Sequence, residues 1–113
     1  MTWQISQTSA FRSYFKNLPR NIQEDSFPII ESLSEDPWQD FLSTHPLRHP
    51  LDGYYACRID IEYRIVFRMS EKKQEITLWA IGKHRIYDDF AYFSKLKKRI
   101  QLSDSSSISD FQI

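Results

Sequence analysis

The amino-acid sequence predicts an α+β fold: an N-terminal strand, a helical hairpin, a three-stranded antiparallel meander and a C-terminal helix. Three observations carry that expectation. Apolar residues recur at helical spacing between positions 9 and 33, they alternate with polar ones in three runs between 54 and 81, and helical spacing returns after 87. At 113 residues the chain is expected to form one domain over residues 1–100, because a second useful core would need roughly 100 residues of its own.

Trp3 to Ser6 alternates in the period-2 manner of a short half-buried strand. Thr8 or Ser9 then offers an N-cap oxygen, and Phe11, Tyr14, Phe15 and Leu18 line one face of a first helix that Pro19 ends. Ile22, Ser26, Ile29, Ile30 and Leu33 predict a second amphipathic helix. Pro28 interrupts it, and its missing N–H predicts a kink or two short helices. Pro37, Pro46 and Pro50 make Ser34 to Leu51 an extended or turning connector in which Trp38, Phe41 and Leu42 can pack inward. Strands are expected at Tyr54–Asp60, Tyr63–Met69 and Glu75–Ile81, joined by short turns at Ile61–Glu62 and Ser70–Lys73. Tyr87 to Ile100 reads as a helix with Phe90, Phe93, Leu96 and Ile100 on one side. The serine-rich stretch 101–113 reads as a mobile tail.

Hydrophobic residues make up 41% and aromatic ones 15%, a composition that excludes linkers and disordered polymers. No apolar run reaches the roughly 18 residues of a membrane span and no signal pattern follows Met1, so a soluble, cytoplasmic chain is expected. The single cysteine, Cys57, falls in a strand and is expected to be a buried hydrophobe without chemistry. Formal net charge is zero but unevenly spread: His45 to Ile100 holds 12 Lys or Arg against 7 Asp or Glu, and the first 44 residues hold 3 against 6. That division permits one cationic face.

Strand alternation assigns Tyr55, Cys57, Ile59, Ile65, Phe67, Leu78 and Ala80 to the core side. The other side then holds Arg58, Asp60, Arg64, Val66, Arg68, Thr77, Trp79 and Ile81. Guanidinium groups bind phosphate bidentately and an indole can stack on an unpaired base, so this face suits RNA. The alternative is a solubilising sheet face in which Arg58 or Arg64 pairs with Asp60 or Glu62. At the end of the last strand, Lys83, His84, Arg85 and Tyr87 concentrate titratable groups, and an imidazole there can exchange protons near neutral pH. His45 and His49 flank Pro46-Leu47-Arg48. No spacing among the three histidines matches a zinc site, and no metal or other cofactor is expected.

The run His45-Pro46-Leu47, then Gly53-Tyr54-Tyr55-Ala56-Cys57-Arg58-Ile59, Tyr63-Arg64-Ile65-Val66-Phe67-Arg68, and Ile81-Gly82-Lys83-His84 with Tyr87, resembles the RelE/ParE toxin superfamily, nearest to its YafQ-like and YoeB-like ribonucleases. The resemblance covers roughly residues 3 to 90. It implies a RelE-like fold and the toxin of a bacterial toxin–antitoxin pair, cutting mRNA in the ribosomal A site without metal by attack of a 2′-hydroxyl. It implies further that Arg64 contacts the scissile phosphate beside Arg58, that His84 is the general acid, and that Tyr87 orients substrate. His45 and Glu62 fall at or near a histidine and an acidic position of YafQ-like enzymes. Arg68, Lys83, Arg85 and Trp79 complete the expected RNA-binding set.

The sequence departs from that pattern at Pro50, where YoeB-like enzymes carry a glutamate base, leaving the role to His45 or Glu62 or unfilled. Two other functions remain compatible with the resemblance: a ParE-like inhibitor of DNA gyrase, and a catalytically degenerate member that binds its antitoxin or DNA. An antitoxin is the expected protein partner, with an acidic or amphipathic segment covering the basic face.

Overall fold

The computed structural model describes residues 2–91. Five strands form one sheet in the order β1-β5-β4-β3-β2: β1 is Gln4–Gln7, β2 His45–Pro46, β3 Tyr55–Arg58, β4 Tyr63–Ser70 and β5 Glu75–Lys83. Strands β2 to β5 pair antiparallel, and β1 closes the far edge by running parallel to β5. The α+β expectation and the meander are both present.

Helix α1, Ser9–Lys16, begins where Thr8 caps it. The Thr8 hydroxyl accepts from Phe11 N at 3.1 Å and donates to Leu78 O at 3.0 Å, so one buried side chain fixes both the helix start and its seat on β5. Helix α2, Arg20–Glu35, is continuous through Pro28, where a kink or break was expected. Pro28 lies on the exposed side, so water can take up the carbonyl its ring leaves without a donor. The end of α2 is tied to β1: Trp3 N donates to Ser34 O at 2.7 Å, and Ser34 Oγ returns a bond to Trp3 O at 2.8 Å.

Both helices cover one sheet face through Phe11, Leu33, Leu42, Cys57, Ile65, Phe67, Ile76, Leu78 and Ile81. Strand alternation in the sequence places Ala80 on this face and Ile81 on the opposite one; a β-bulge reverses the two. Val66 pairs with Ala80 and Phe67 with Leu78, leaving Trp79 as the extra residue, so alternation restarts one position late. Ala80 therefore joins Leu51, Val66, Ile86 and Phe90 in a second buried cluster on the other face. That face was expected to stand open, and it is instead partly covered by the helical segment 86–91. The remainder of the helix expected to reach Ile100, and the tail at 101–113, lie outside the described residues. Among the described residues, no helix is long and apolar enough to cross a membrane.

Candidate functional site

The site is built on the uncovered end of that second face. Antiparallel pairing sets Arg58 on β3 directly opposite Arg64 on β4, with Gly82 next in line on β5. Partners in a register point to the same side, and the bulge lies beyond Arg64, so the two guanidinium groups share this surface as strand parity predicts. His45, opposite Ala56, occupies the same face one pleat away. Like charges placed opposite each other are unfavourable by about 0.2–1 kcal/mol, and among the described residues no carboxylate relieves this pair within 4.0 Å.

The arginines are held by carbonyl groups instead. Arg64 Nη1 donates to the carbonyls of Asp60 at 2.7 Å, Tyr63 at 3.0 Å and Ile61 at 3.2 Å, while Arg58 Nε donates to Asp60 O at 3.3 Å. The Asp60 carboxylate is occupied by the turn itself, accepting from Glu62 N and Tyr63 N, both at 2.8 Å. This Asx-type turn orients both guanidinium groups while leaving their charge uncancelled. Sequence reasoning treated Asp60 as a possible ion-pair partner; its place at the head of the β3–β4 turn was the available signal.

At the end of β5 the chain turns through His84 and Arg85 into the helical segment 86–91. Gly82 permits that turn, because a Cβ there would stand 3.3 Å from Ile86 Cδ1. The turn brings Tyr87 back to Arg64. Arg64 donates a hydrogen bond to the Tyr87 hydroxyl, and burial, partly opposed by Arg64, raises the phenol above its ordinary range. The rings of His84 and Tyr87 meet edge-on with centroids 5.3 Å apart. His84, Tyr87, Arg64 and Arg58 thus form one connected set.

His45 is exposed, and its Nδ1 lies 2.9 Å from Ser43 O. A carbonyl can only accept, so Nδ1 carries the hydrogen and the lone pair of a neutral ring resides on Nε2. Across the sheet, His45 on β2 and His84 beyond β5 stand on opposite sides of the Arg58 and Arg64 row. Glu62 is not with His45. It faces Lys83 at 4.0 Å beside a cleft of about 590 Å³ that includes Ile61, His84, Arg85, Tyr87 and Asp88.

Two expected contact residues are placed differently. Trp79, expected as an open stacking platform, is half-buried, with its ring 6.0 Å from Tyr54 and 6.1 Å from Phe90 between centroids. Arg68 lies over the Tyr54 ring at 5.1 Å, farther along β4. Cys57 is fully buried, and burial pushes its thiol up to about 12. Pro50 and His49 are exposed, and His49 faces Asp52 at 3.6 Å. Among the described residues no three His, Cys, Asp or Glu side chains gather as a group that could hold a metal.

No family model matches the chain. Toxin YoeB of Mycobacterium bovis and toxin RelK of Mycobacterium tuberculosis are each 32% identical over 56 residues, which is 50% of this chain and 64% of the relative. Among solved structures, the YafQ toxin of E. coli superposes with TM-score 0.64 at 12% identity, covering 75% of this chain and 97% of its own. The toxin–antitoxin complex RelBE2 of Mycobacterium tuberculosis gives TM-score 0.61 at 20% identity, over 74% and 100%. The YoeB/ParE toxin of Agrobacterium tumefaciens gives TM-score 0.61 at 20% identity, over 72% and 98%. At these identities the structural likeness is one of fold. The sequence likeness to YoeB and RelK spans just under two thirds of those toxins, and over that stretch the chain is similar to them.

Proposed function

We propose that the chain is the toxin of a toxin–antitoxin pair and an endoribonuclease that cuts mRNA, in the ribosomal A site, without a metal. The observation that carries this reading is the opposed pair Arg58 and Arg64, held by backbone carbonyls with no carboxylate partner within 4.0 Å among the described residues, with His45 and His84 on the two sides of their row. A phosphodiester seated on the two guanidinium groups supplies the missing negative charge. It also receives help as charge builds on its oxygens during attack.

In this reading the two histidines divide an in-line displacement between them. His45 Nε2 takes the proton of the 2′-hydroxyl as its oxygen bonds to phosphorus, and His84 gives a proton to the 5′-oxygen as the P–O5′ bond breaks. The products are a 2′,3′-cyclic phosphate and a 5′-hydroxyl. Tyr87, bonded to Arg64, orients the guanidinium against the phosphate. In this assignment the imidazole of His45 does the work for which no carboxylate stands at Pro50.

Translated mRNA is the substrate that tests the proposal, with cleavage ends mapped for the wild type, His84→Ala, Arg64→Ala and His45→Ala. Each variant should lose at least about a hundredfold in cutting, the scale of one acid–base or oxyanion contribution, while keeping its circular dichroism. Undiminished cutting by a folded His84→Ala, Arg64→Ala double variant would exclude the assignment. Inhibition of gyrase supercoiling with no RNA cut would move the chain to the ParE-like reading. Two of the structurally similar proteins were solved as toxin–antitoxin complexes, RelBE2 and DinJ-YafQ. We assign this chain a protein antitoxin on that basis, to be sought as a small neighbouring gene whose co-expression restores growth.

A further inference from the structure

The cleft beside Arg64 has a role that phosphate binding leaves unused. Its volume, about 590 Å³, is enough for one nucleotide. The β3–β4 turn forms one wall and is held rigid from both sides: Asp60 accepts from Glu62 N and Tyr63 N, and Arg64 donates to Ile61 O. Rigid walls reduce the ordering a ligand must impose. Ile61, 78% exposed, is a large apolar side chain on the lining of this cleft. The ring of Tyr87 is a second flat or apolar surface.

The same cleft is lined by a carboxylate and an ammonium. Glu62 Oε2 and Lys83 Nζ are 4.0 Å apart, with side chains 67% and 57% exposed. A pair so long and so wet is weak, and both partners keep hydrogen-bonding capacity for a ligand. The four RNA bases differ in how they meet such a pair. Guanine offers N1–H and N2–H side by side, which a carboxylate accepts with its two oxygens, and O6 next to them for an ammonium. Adenine and cytosine set a lone pair beside their single amino donor, which repels the second carboxylate oxygen. Uracil flanks its one N–H with two carbonyl oxygens.

We propose that this cleft is a guanine site, with Glu62 reading N1–H and N2–H, Lys83 reading O6, and Ile61 and Tyr87 covering the base. It rests on the endoribonuclease reading for its position next to the phosphate seated on Arg58 and Arg64, and it makes Glu62 a specificity residue.

The test uses the full chain and fluorescein-labelled pentanucleotides of uridine. The central sugar is 2′-deoxy, so no nucleophile is present, and one base beside the central phosphate is G, A, C, U or inosine. Anisotropy should show the G oligonucleotide bound about tenfold more tightly than those with A, C or U, the discrimination of one good bidentate contact. Inosine, which lacks the N2 amino group, should fall between. Glu62→Gln should bring all five within about twofold, because a carboxamide offers one acceptor and opposes a donor to the base. Equal binding of all bases by the wild type, no binding at all, or a G preference that survives Glu62→Gln in a folded variant would each overturn the proposal. Cleavable all-ribose versions separate the two readings. Cutting without base preference removes the guanine site alone, and G-selective binding without cutting removes the nuclease alone.

Discussion

At the residue scale, the opposition of Arg58 and Arg64 separates what the fold wants from what the site wants. Two guanidinium groups facing each other across β3 and β4 oppose folding, and their charge is useful only once an anion arrives. Arg58→Ala is therefore expected to leave urea stability unchanged or raise it by about 0.5 kcal/mol, while RNA affinity falls. A loss of stability together with affinity would mean that Arg58 is structural. Cys57 gives the opposite case, a group that serves only packing. Its thiol is raised from 9.0 to about 12, first by burial, against the smaller pull of a backbone bond to Ile65 and the charge of Arg64. Because the folded value is the higher one, this contribution to stability is fully present below pH 9.0 and is lost as pH rises from there toward about 12. A thiol reagent such as dithionitrobenzoate at pH 8 should react only after urea unfolding; rapid labelling of the native chain would contradict the burial. The two arginines and His84 were legible in the sequence because strand parity and loop position are local properties. The bond between Arg64 and Tyr87 was not, since it depends on how the chain folds back after Gly82.

At the element scale, the site depends on a turn and a cap. Gly82 lets the segment 86–91 lie against β5, and a Cβ would meet Ile86 Cβ at 3.4 Å as well as its Cδ1 at 3.3 Å. Gly82→Ala is expected to cost about 1–3 kcal/mol as overpacking, and to lower cleavage beyond what stability explains, since the same segment carries Tyr87 and its turn carries His84. Thermal melts and cleavage rates below the melting range measure the two effects separately. Unchanged cleavage would uncouple the turn from the site. Thr8 is the corresponding device on the first face: Thr8→Ala removes a cap and a buried bond to Leu78 O together, for about 2 kcal/mol, and should leave RNA affinity intact in the folded fraction. Chemical denaturation and anisotropy on the same sample check this. The helices and the three meander strands could be read from periodicity, but three features could not. The bulge at Trp79 reverses parity without a glycine to announce it, Pro28 is tolerated because it faces out, and the two residues of β2 are too few to show alternation. Each depends on a neighbour distant in sequence.

At the scale of the whole molecule, the parallel pairing of β1 with β5 closes the sheet, and nothing local in Trp3 to Ser6 specifies that partner. The closure fixes which charges go where. Helix α2, with Glu24, Asp25, Glu31 and Glu35, covers one face, and Arg58, Arg64 and Arg68 occupy the other. A formal net charge of zero therefore conceals a polarised molecule, and the zero predicts little long-range attraction to RNA with a local, short-range grip. Salt dependence measures that grip. Each single-strand phosphate charge neutralised contributes about −0.7 to the slope of log affinity against log salt, so the one phosphate seated on Arg58 and Arg64 should contribute about −0.7. Replacing both arginines with alanine should make the slope shallower by about that amount. Replacing Glu24 and Glu31 with glutamine should change it far less, because they lie on the opposite face and the screening length near 0.1 M salt is about 10 Å. If the arginine variant kept the wild-type slope, the RNA would be held elsewhere. If the glutamine variant shifted it as much as the arginine variant did, affinity would follow net charge, and the arrangement of β3 and β4 would not be what confers it.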